Sequence, residues 1–506
     1  MTEKTRCCVC NRQGRRKCPA LDGMICTSCC GAKRGSSIDC PPHCLYFPFG
    51  TEAYDAWLKI DSTWMPKVIR YILDHVDKTH FENILRRMDS DNVPSPESME
   101  MSFPAAAHYF LGVERDADEK TIADIWEEEG WQGLNNDERV MIKYRRNTLP
   151  TIIEVQNVLG DHAMECIDLF DPNGSPFIMF DRSLAQNADR FTRFLMWITH
   201  YLHFSRPEGV GFVVPFLIFD EFYDEILTRA CGKSKNFRAS DVKGYLAGHF
   251  GECCALLKTM TRDNTKRMIR SIDMHHGVAV YEIKGSREDI KAIIESKPEF
   301  TFDDRELEPD DPEGTEYYNW LRRGESKKIE ASMHPSFSHE DESQGVGILG
   351  SLKLCPDQMI IEMFSKKKFE FAKEMVKKYF GSHVNFSRES VEDLSKQAAK
   401  RIKKMEREPS DKDEEKQAGT IPMEMEVEQQ VMEQFYREHY TKFLDDSIPA
   451  LSGMNPREAA KNPVMRPQLI ELMKNHVHTF STMCRQKGLK LEIDWVLEEL
   501  GLHELL

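Results

Sequence analysis

The chain of 506 residues contains no apolar run approaching eighteen residues, and its first ten residues, MTEKTRCCVC, hold no apolar signal core. A membrane-spanning helix and a secretory signal are therefore not expected, and the sequence reads as a soluble, cytoplasmic protein without a membrane partner. Enzyme signatures are also missing: there is no G-x-S-x-G, no H-E-x-x-H and no G-x-G-x-x-G. Gly232-Lys233-Ser234 ends like a phosphate loop, but Leu227 stands where that loop needs its first glycine. No catalytic residue is nominated, and an enzyme in the middle region stays only as a further alternative. Positive charge is in deficit, with 68 Lys and Arg against 84 Asp and Glu, a net charge of −16 and a pI near 5.6. A chain that coats nucleic acid with its whole surface is excluded, which leaves room for one basic face. The first fifty residues are poor in Leu, Ile and Val, too poor to build a core unaided.

What that segment has instead is cysteine. Nine of the fifteen cysteines fall before residue 45: Cys7, Cys8, Cys10, Cys18, Cys26, Cys29, Cys30, Cys40 and Cys44. Without an export signal, metal ligation is a better reading than a disulfide scaffold. Cys7 and Cys10 form a C-x2-C knuckle, as do Cys26 and Cys29. Cys40 and Cys44 form a C-x3-C pair around His43, and Cys18 stands between the first two pairs. A short C-x2-C turn aims two thiolates at one ion, and zinc takes four such ligands in a tetrahedron. Seven cysteines have clear places; the eighth ligand is left open among Cys8, Cys30 and His43. The expected cofactor is zinc, as two ions, which would supply the folding energy the segment lacks.

The same segment carries eight Lys and Arg against three acidic residues. Eight thiolates against two dications remove about four of those five surplus charges, so much of the basic character is counter-charge for zinc. The cluster Arg12, Arg15, Arg16 and Lys17 keeps nucleic acid open as an alternative partner.

Beyond residue 50 the sequence reads as a multidomain α+β protein. Expected are a zinc module at 1–50, a helical region at 51–148 and a small antiparallel barrel or sheet with following helices at 149–260. An α+β domain of repeated strand–helix units at 261–408, a linker at 409–420 and a C-terminal helical domain at 421–506 complete the chain. Pro66 is read as the start of a second helix, and Trp126 and Trp131 as core. In the β region, the turn signal at 171–175 separates strand-like runs, and Phe177, Phe180, Phe194 and Trp197 are read as barrel interior. Two strand–serine–helix patterns follow, at 277–296 and 350–380, with Ser286 and Ser365 as helix caps. The acidic stretch 303–316 and the polar stretch around 332–345 are read as loops, 389–409 as a charged helix, and His275-His276 as a polar turn.

In the C-terminal domain, Asn455 is placed to cap a helix with Pro456 at its first position and Glu458 closing a capping box.

Three resemblances accompany these readings. Cys7-x2-Cys10, Lys17-Cys18-Pro19 and Cys26-x2-Cys29 weakly resemble HIT- and MYND-type fingers, paired-zinc modules used mostly for protein contacts; Leu21 departs from the HIT pattern. Cys29-Cys30-Gly31, Ile38-x-Cys40-Pro41 and Cys44-x-Tyr46 look like an N-terminal module of bacterial multidomain proteins. Leu451, Gly453, Asn455, Pro456, Arg457 and Glu458 resemble the toxin-binding domain of Xre/MbcA/ParS-type antitoxins, with Asn455 in place of the usual threonine. The resemblance implies an interaction motif at these six residues. The expected function is a non-enzymatic, zinc-binding protein-interaction or regulatory protein with a protein partner.

Overall fold

The computed structural model describes residues 6–90, 95–171, 173–232, 237–271, 275–309, 311–329, 340–341, 346–393 and 425–506. It is a mixed α+β structure with several sheets. It divides into two units, Met1–Thr261 with Gly419–Leu506, and Arg262–Ala418. The segments expected as separate domains at 1–50, 51–148, 149–260 and 421–506 thus fall within one unit. The linker at 409–420 and most of the charged helix at 389–409 lie outside the described residues.

The first unit opens with a hairpin, β1 (Arg16–Cys18) and β2 (Gly23–Ile25), and a short helix α1 (Thr27–Lys33). Five helices follow: α2 (Tyr54–His75), α3 (Lys78–Met88), α4 (Pro96–Gly112), α5 (Ile122–Glu128) and α6 (Asn136–Arg145). Contrary to the reading of a helix start at Pro66, α2 runs through that proline. Trp57, Trp64, Val68 and Ile72 are fully buried along one face, and this packing outweighs the one hydrogen bond the proline cannot make. Trp126 and Trp131 are both buried, as the periodicity predicted.

The next segment is the barrel. Its elements are β3 (Leu149–Leu159), β4 (Ala163–Asp168), β5 (Phe177–Phe180), the short helix α7 (Arg182–Asn187), β6 (Arg193–His200) and β7 (Ser205–Val213). They close in the order β3-β4-β5-β7-β6, antiparallel throughout except for β5 beside β7. Ile153, Val155, Met164, Cys166, Met179, Phe194, Met196 and Ile198 fill the interior, with Phe177 packed against them. Phe180 and Trp197 lie in the core shared with the helices instead, which corrects their assignment to the interior. The reason is parity: side chains alternate along a strand, so Trp197 faces away from Phe194, Met196 and Ile198. Three helices follow, α8 (Phe216–Cys231), α9 (Ala239–Gly248) and α10 (Phe250–Ser271).

The second unit is built on one sheet. Its elements are β8 (His275–Ile283), α11 (Arg287–Glu295), β9 (Phe300–Asp303), β10 (Glu316–Leu321), β11 (Glu340–Asp341), β12 (Val346–Leu354), β13 (Gln358–Met363), α12 (Lys366–Phe380) and β14 (Val384–Asp393). The strand order is β14-β8-β13-β12-β10-β9, with β11 beside β12. Ser286 and Ser365 cap α11 and α12 as expected. Ile290 and Ile294 of α11 and Phe369, Ala372, Val376 and Phe380 of α12 share one buried core with the sheet. The close approach of α12 requires glycine at 277, where a Cβ would stand 2.5 Å from the Phe369 ring. Residues 389–393, read as helix, are strand: they continue the ladder of β14 along β8 and satisfy that strand's backbone groups. In the loop that follows β9, Glu308 and Asp311 are held by Lys353 Nζ, at 2.6 Å and 3.0 Å.

The chain ends in four helices of the first unit, α13 (Met425–Phe443), α14 (Pro456–Lys461), α15 (Arg466–Lys487) and α16 (Asp494–Leu500). Leu444, Leu451, Leu469, Met473 and Leu497 are fully buried among them. The α15 face meets the barrel through charge. Glu154, fully buried on β3, receives Arg193 and Lys474 at 2.7 Å each. Arg193 also reaches Glu471 at 2.5 Å and lies over Phe219 at 3.9 Å. Arg485 pairs with Asp189 at 2.9 Å, and Arg190 with Asp494 at 2.8 Å.

Candidate metal centre

The first knuckle is a turn closed on itself. The Cys7 N–H donates to Arg12 O at 2.7 Å and the Asn11 N–H returns to Cys7 O at 2.9 Å, with Asn11 at φ +60°. The knuckle is sewn to the hairpin, since the Cys8 N–H donates to Met24 O and the Arg15 N–H to Ile25 O, both at 2.9 Å. The second knuckle stands where β2 becomes α1. Cys26 is the N-cap of that helix, its sulfur accepting from the Cys29 N–H at 3.4 Å. Strand, cap and first helical turn thus carry Cys26 and Cys29 toward Cys7 and Cys10.

The four sulfurs of Cys7, Cys10, Cys26 and Cys29 all lie within 4.8 Å of one another. A zinc–sulfur bond of about 2.3 Å in a tetrahedron implies sulfurs about 3.8 Å apart; Cys10 and Cys26 stand at 3.6 Å. This quartet has the donor set and spacing to hold one metal ion. Its electrostatics divide the thiols. Burial works to raise Cys7, but backbone N–H groups of Cys26, Cys10 and Val9 outweigh it and bring Cys7 down to about 6. The Cys29 N–H lowers Cys26. Hydrogen bonds with Cys10 and then Cys26 push Cys29 up to about 12. A bound cation would favour thiolates at all four positions.

The remaining candidates separate clearly. Cys18, Cys30, Cys40 and Cys44 are all buried, while Cys8 and His43 are exposed. Among the described residues, only the first quartet gathers three or more ligand atoms within 4.8 Å. His276 of the His275-His276 pair joins no such group; its Nε2 meets Glu362 at 2.5 Å.

The module is fastened to the body beside these cysteines. Arg34, just past α1, forms a two-pronged pair with Asp137 at the start of α6, with Nε at 2.8 Å, and a further guanidinium N–H donates to Tyr46 O at 2.6 Å. Asn136 Nδ2 donates to Arg34 O at 3.0 Å. Phe47 and Phe49 follow the last cysteine and are buried, with Phe49 stacked on Tyr201 at 5.7 Å. The sequence reading missed this fastening. The Phe47-Pro48-Phe49 run in a segment with few aliphatics was its only local signal; nothing local joins Arg34 to a carboxylate 103 residues away.

The six residues of the C-terminal motif serve their own domain. Leu451 is fully buried, Gly453 turns the chain at φ +83°, and Pro456 is buried at the first helical position. Asn455 and Glu458 form the expected capping box around the start of α14. Arg457 pairs with Asp445 at 3.0 Å and Glu499 at 2.6 Å.

Fold and site together define a mixed α+β protein with a four-cysteine metal-competent centre near its N-terminus. A comparison with known protein families, curated proteins and solved structures finds no match.

Proposed function

We propose that this chain is a zinc-binding protein-interaction or regulatory protein, with two zinc ions in its N-terminal module and a C-terminal helical domain that meets a protein partner. The observation that carries the reading is the gathering of Cys7, Cys10, Cys26 and Cys29 within 4.8 Å. Four thiolates in a tetrahedron favour zinc over hard cations such as magnesium or calcium. Elemental analysis of the full chain, purified without chelator, tests it: two zinc per chain are expected. If Cys26→Ser with Cys29→Ser left metal content and melting unchanged, the zinc reading would be wrong.

The interaction half rests on the antitoxin-like segment 451–458. In its support, the turn between α14 and α15 presents Val464 outward at 78% exposure. Cross-linking in cells, read by mass spectrometry, is expected to place partner contacts within 451–466 and to lose them in Val464→Glu. Cross-links confined to other segments would remove this half of the proposal.

A nucleic-acid contact is the second reading, favoured by Arg12 and Arg15 standing exposed on the module. Arg34 is committed to Asp137, and Phe180, Phe194 and Trp197 of the barrel are buried away from any base. Retention on DNA and RNA that vanishes at modest ionic strength would reduce this reading to charge attraction.

A further inference from the structure

We propose that Cys18, Cys30, Cys40 and Cys44 ligate a second structural zinc ion, with Cys30 as the eighth ligand of the module and Arg16 and Arg34 as its counter-charges. This rests on the zinc reading above and deepens it by assigning the second site.

The assignment begins with α1. Cys29 and Cys30 are adjacent on a helix, where successive side chains point about 100° apart. Cys29 faces the first quartet; Cys30 therefore turns to the other side, where it is buried. There it meets three other buried cysteines around one small cavity of about 10 Å³, lined also by Arg16, Ile25, Arg34, Ile38 and Tyr46. The space suits an ion and excludes any organic ligand. Cys18 reaches it from the end of β1. Cys40 and Cys44 reach it from a turn in which the Cys44 N–H donates to Pro41 O at 3.1 Å. That turn is positioned by the loop after α1, where Gly35 at φ +67° leaves room for the Phe47 ring; a Cβ there would stand 2.7 Å from it.

The charges around the cavity fit a thiolate centre. Four thiolates with one dication carry a net −2, and two guanidinium groups are at hand. Arg16 Nη1 lies 3.8 Å from Cys30 Sγ, and its guanidinium lies over Tyr46 at 4.1 Å. Arg34 feels Cys30 and Cys40 while held by Asp137. Burial is the main cause that raises Cys40 to about 11, and the charges of Cys44, Cys18 and Cys30 add to it. All four cysteines line this one cavity. Their sulfurs stand wider apart than those of the first quartet, so the ion would draw them inward. The apolar lining of Ile25 and Ile38 supplies the dry surround that a closed structural site has.

The test is native mass spectrometry of the full chain, with residue-resolved alkylation before and after chelation. The expected result is two zinc ions per chain. Cys18, Cys30, Cys40 and Cys44 should be protected until metal is removed, while exposed Cys8 reacts at once. Cys40→Ser with Cys44→Ser should lower the count from two to one, and Cys8→Ser should leave it at two. Alkylation of the unsubstituted chain decides the matter if the double variant fails to fold. One zinc, with Cys30, Cys40 and Cys44 alkylated at the same rate before and after chelation, would overturn the second site and leave the first intact. A chain with no metal would overturn the zinc reading itself. Two zinc with loss of one ion in Cys8→Ser or His43→Ala, but not in Cys30→Ser, would reassign the eighth ligand.

Discussion

The N-terminal module and the C-terminal helical domain belong to the same unit, yet they are held together by different means. The C-terminal domain has an apolar core, with Leu469, Met473, Val477 and Leu497 on its helices and Leu444 and Leu451 in the connection before α14 all buried. The module buries Ile25, Ile38, Phe47 and Phe49 together with six cysteines. Burying a leucine or valine side chain contributes about 1.5–3 kcal/mol, so the C-terminal domain has many such contacts to fold on and the module has few. Their attachments differ in the balance of apolar and charged contacts. The module meets its body through two buried phenylalanines and one arginine fork, while α15 meets the barrel through the buried Glu154–Arg193–Lys474 cluster. Both attachments mix the two kinds of contact, since Phe191 beside the barrel is buried in the C-terminal core and Arg34 ties the module to Asp137.

Removing metal should break this comparison most sharply. On the zinc reading, chelation withdraws about 10–16 kcal/mol of apparent binding energy per structural site. Amide exchange should then lose protection across residues 6–50 and keep it across α15 and α16; equal loss in both regions would mean that the two share one source of stability. Next in size is the ionic attachment. Glu154→Ala removes the buried carboxylate that Arg193 and Lys474 share and leaves them only the part-exposed Glu471, and urea unfolding should show a loss of about 3 kcal/mol. Of similar size is the apolar attachment: Phe49→Ala should cost about 3–5 kcal/mol at the module's docking surface, seen as a lower melting temperature with metal content retained.

A third buried pair sharpens the picture through pH. Burial works to raise the Glu208 carboxyl, but Arg145 and His108 outweigh it and hold it at about 2, below the ordinary 4.5. Arg145 contacts Glu208 at 2.8 Å, Tyr201 at 3.1 Å and Asp61 at 2.7 Å, and lies over Trp64. The folded value is depressed, so this contribution is fully present above the unfolded value and is lost as pH falls from about 4.5 through about 2. By linkage it amounts to about 3 kcal/mol. Glu208→Gln should be less stable at neutral pH and should flatten that part of the acid unfolding profile; an unchanged profile would refute the assignment. The smallest effect is expected at Asn455→Ala, where loss of the cap should cost about 1 kcal/mol of stability in the C-terminal domain and leave metal content unchanged.

Much of the local structure was legible because its causes are local. The C-x2-C spacing of Cys7 with Cys10 and of Cys26 with Cys29 follows from the reach of a short turn. The Asn455 capping box and the Ser286 and Ser365 caps follow from side chains bonding to amides two or three residues on. The reading failed where the deciding partner was remote. Pro66 was read as a helix start because the buried stripe of Trp57, Trp64, Val68 and Ile72 gains its value from tertiary packing. Residues 389–393 read as helix because their charge pattern carries no trace of the β8 edge that pairs with them. Trp197 was put inside the barrel because an apolar run does not state which parity faces in.

The sequence by itself determined that this chain has a cysteine-rich metal-competent segment, α+β composition and a capped helical tail, since spacing, turn chemistry and capping act within a few residues. Only the tertiary structure decided which cysteines share a point in space, that β5 and β7 close a barrel, and that Arg34 reaches Asp137. Those outcomes depend on contacts between residues far apart in the chain, whose geometry exists only once the elements are packed.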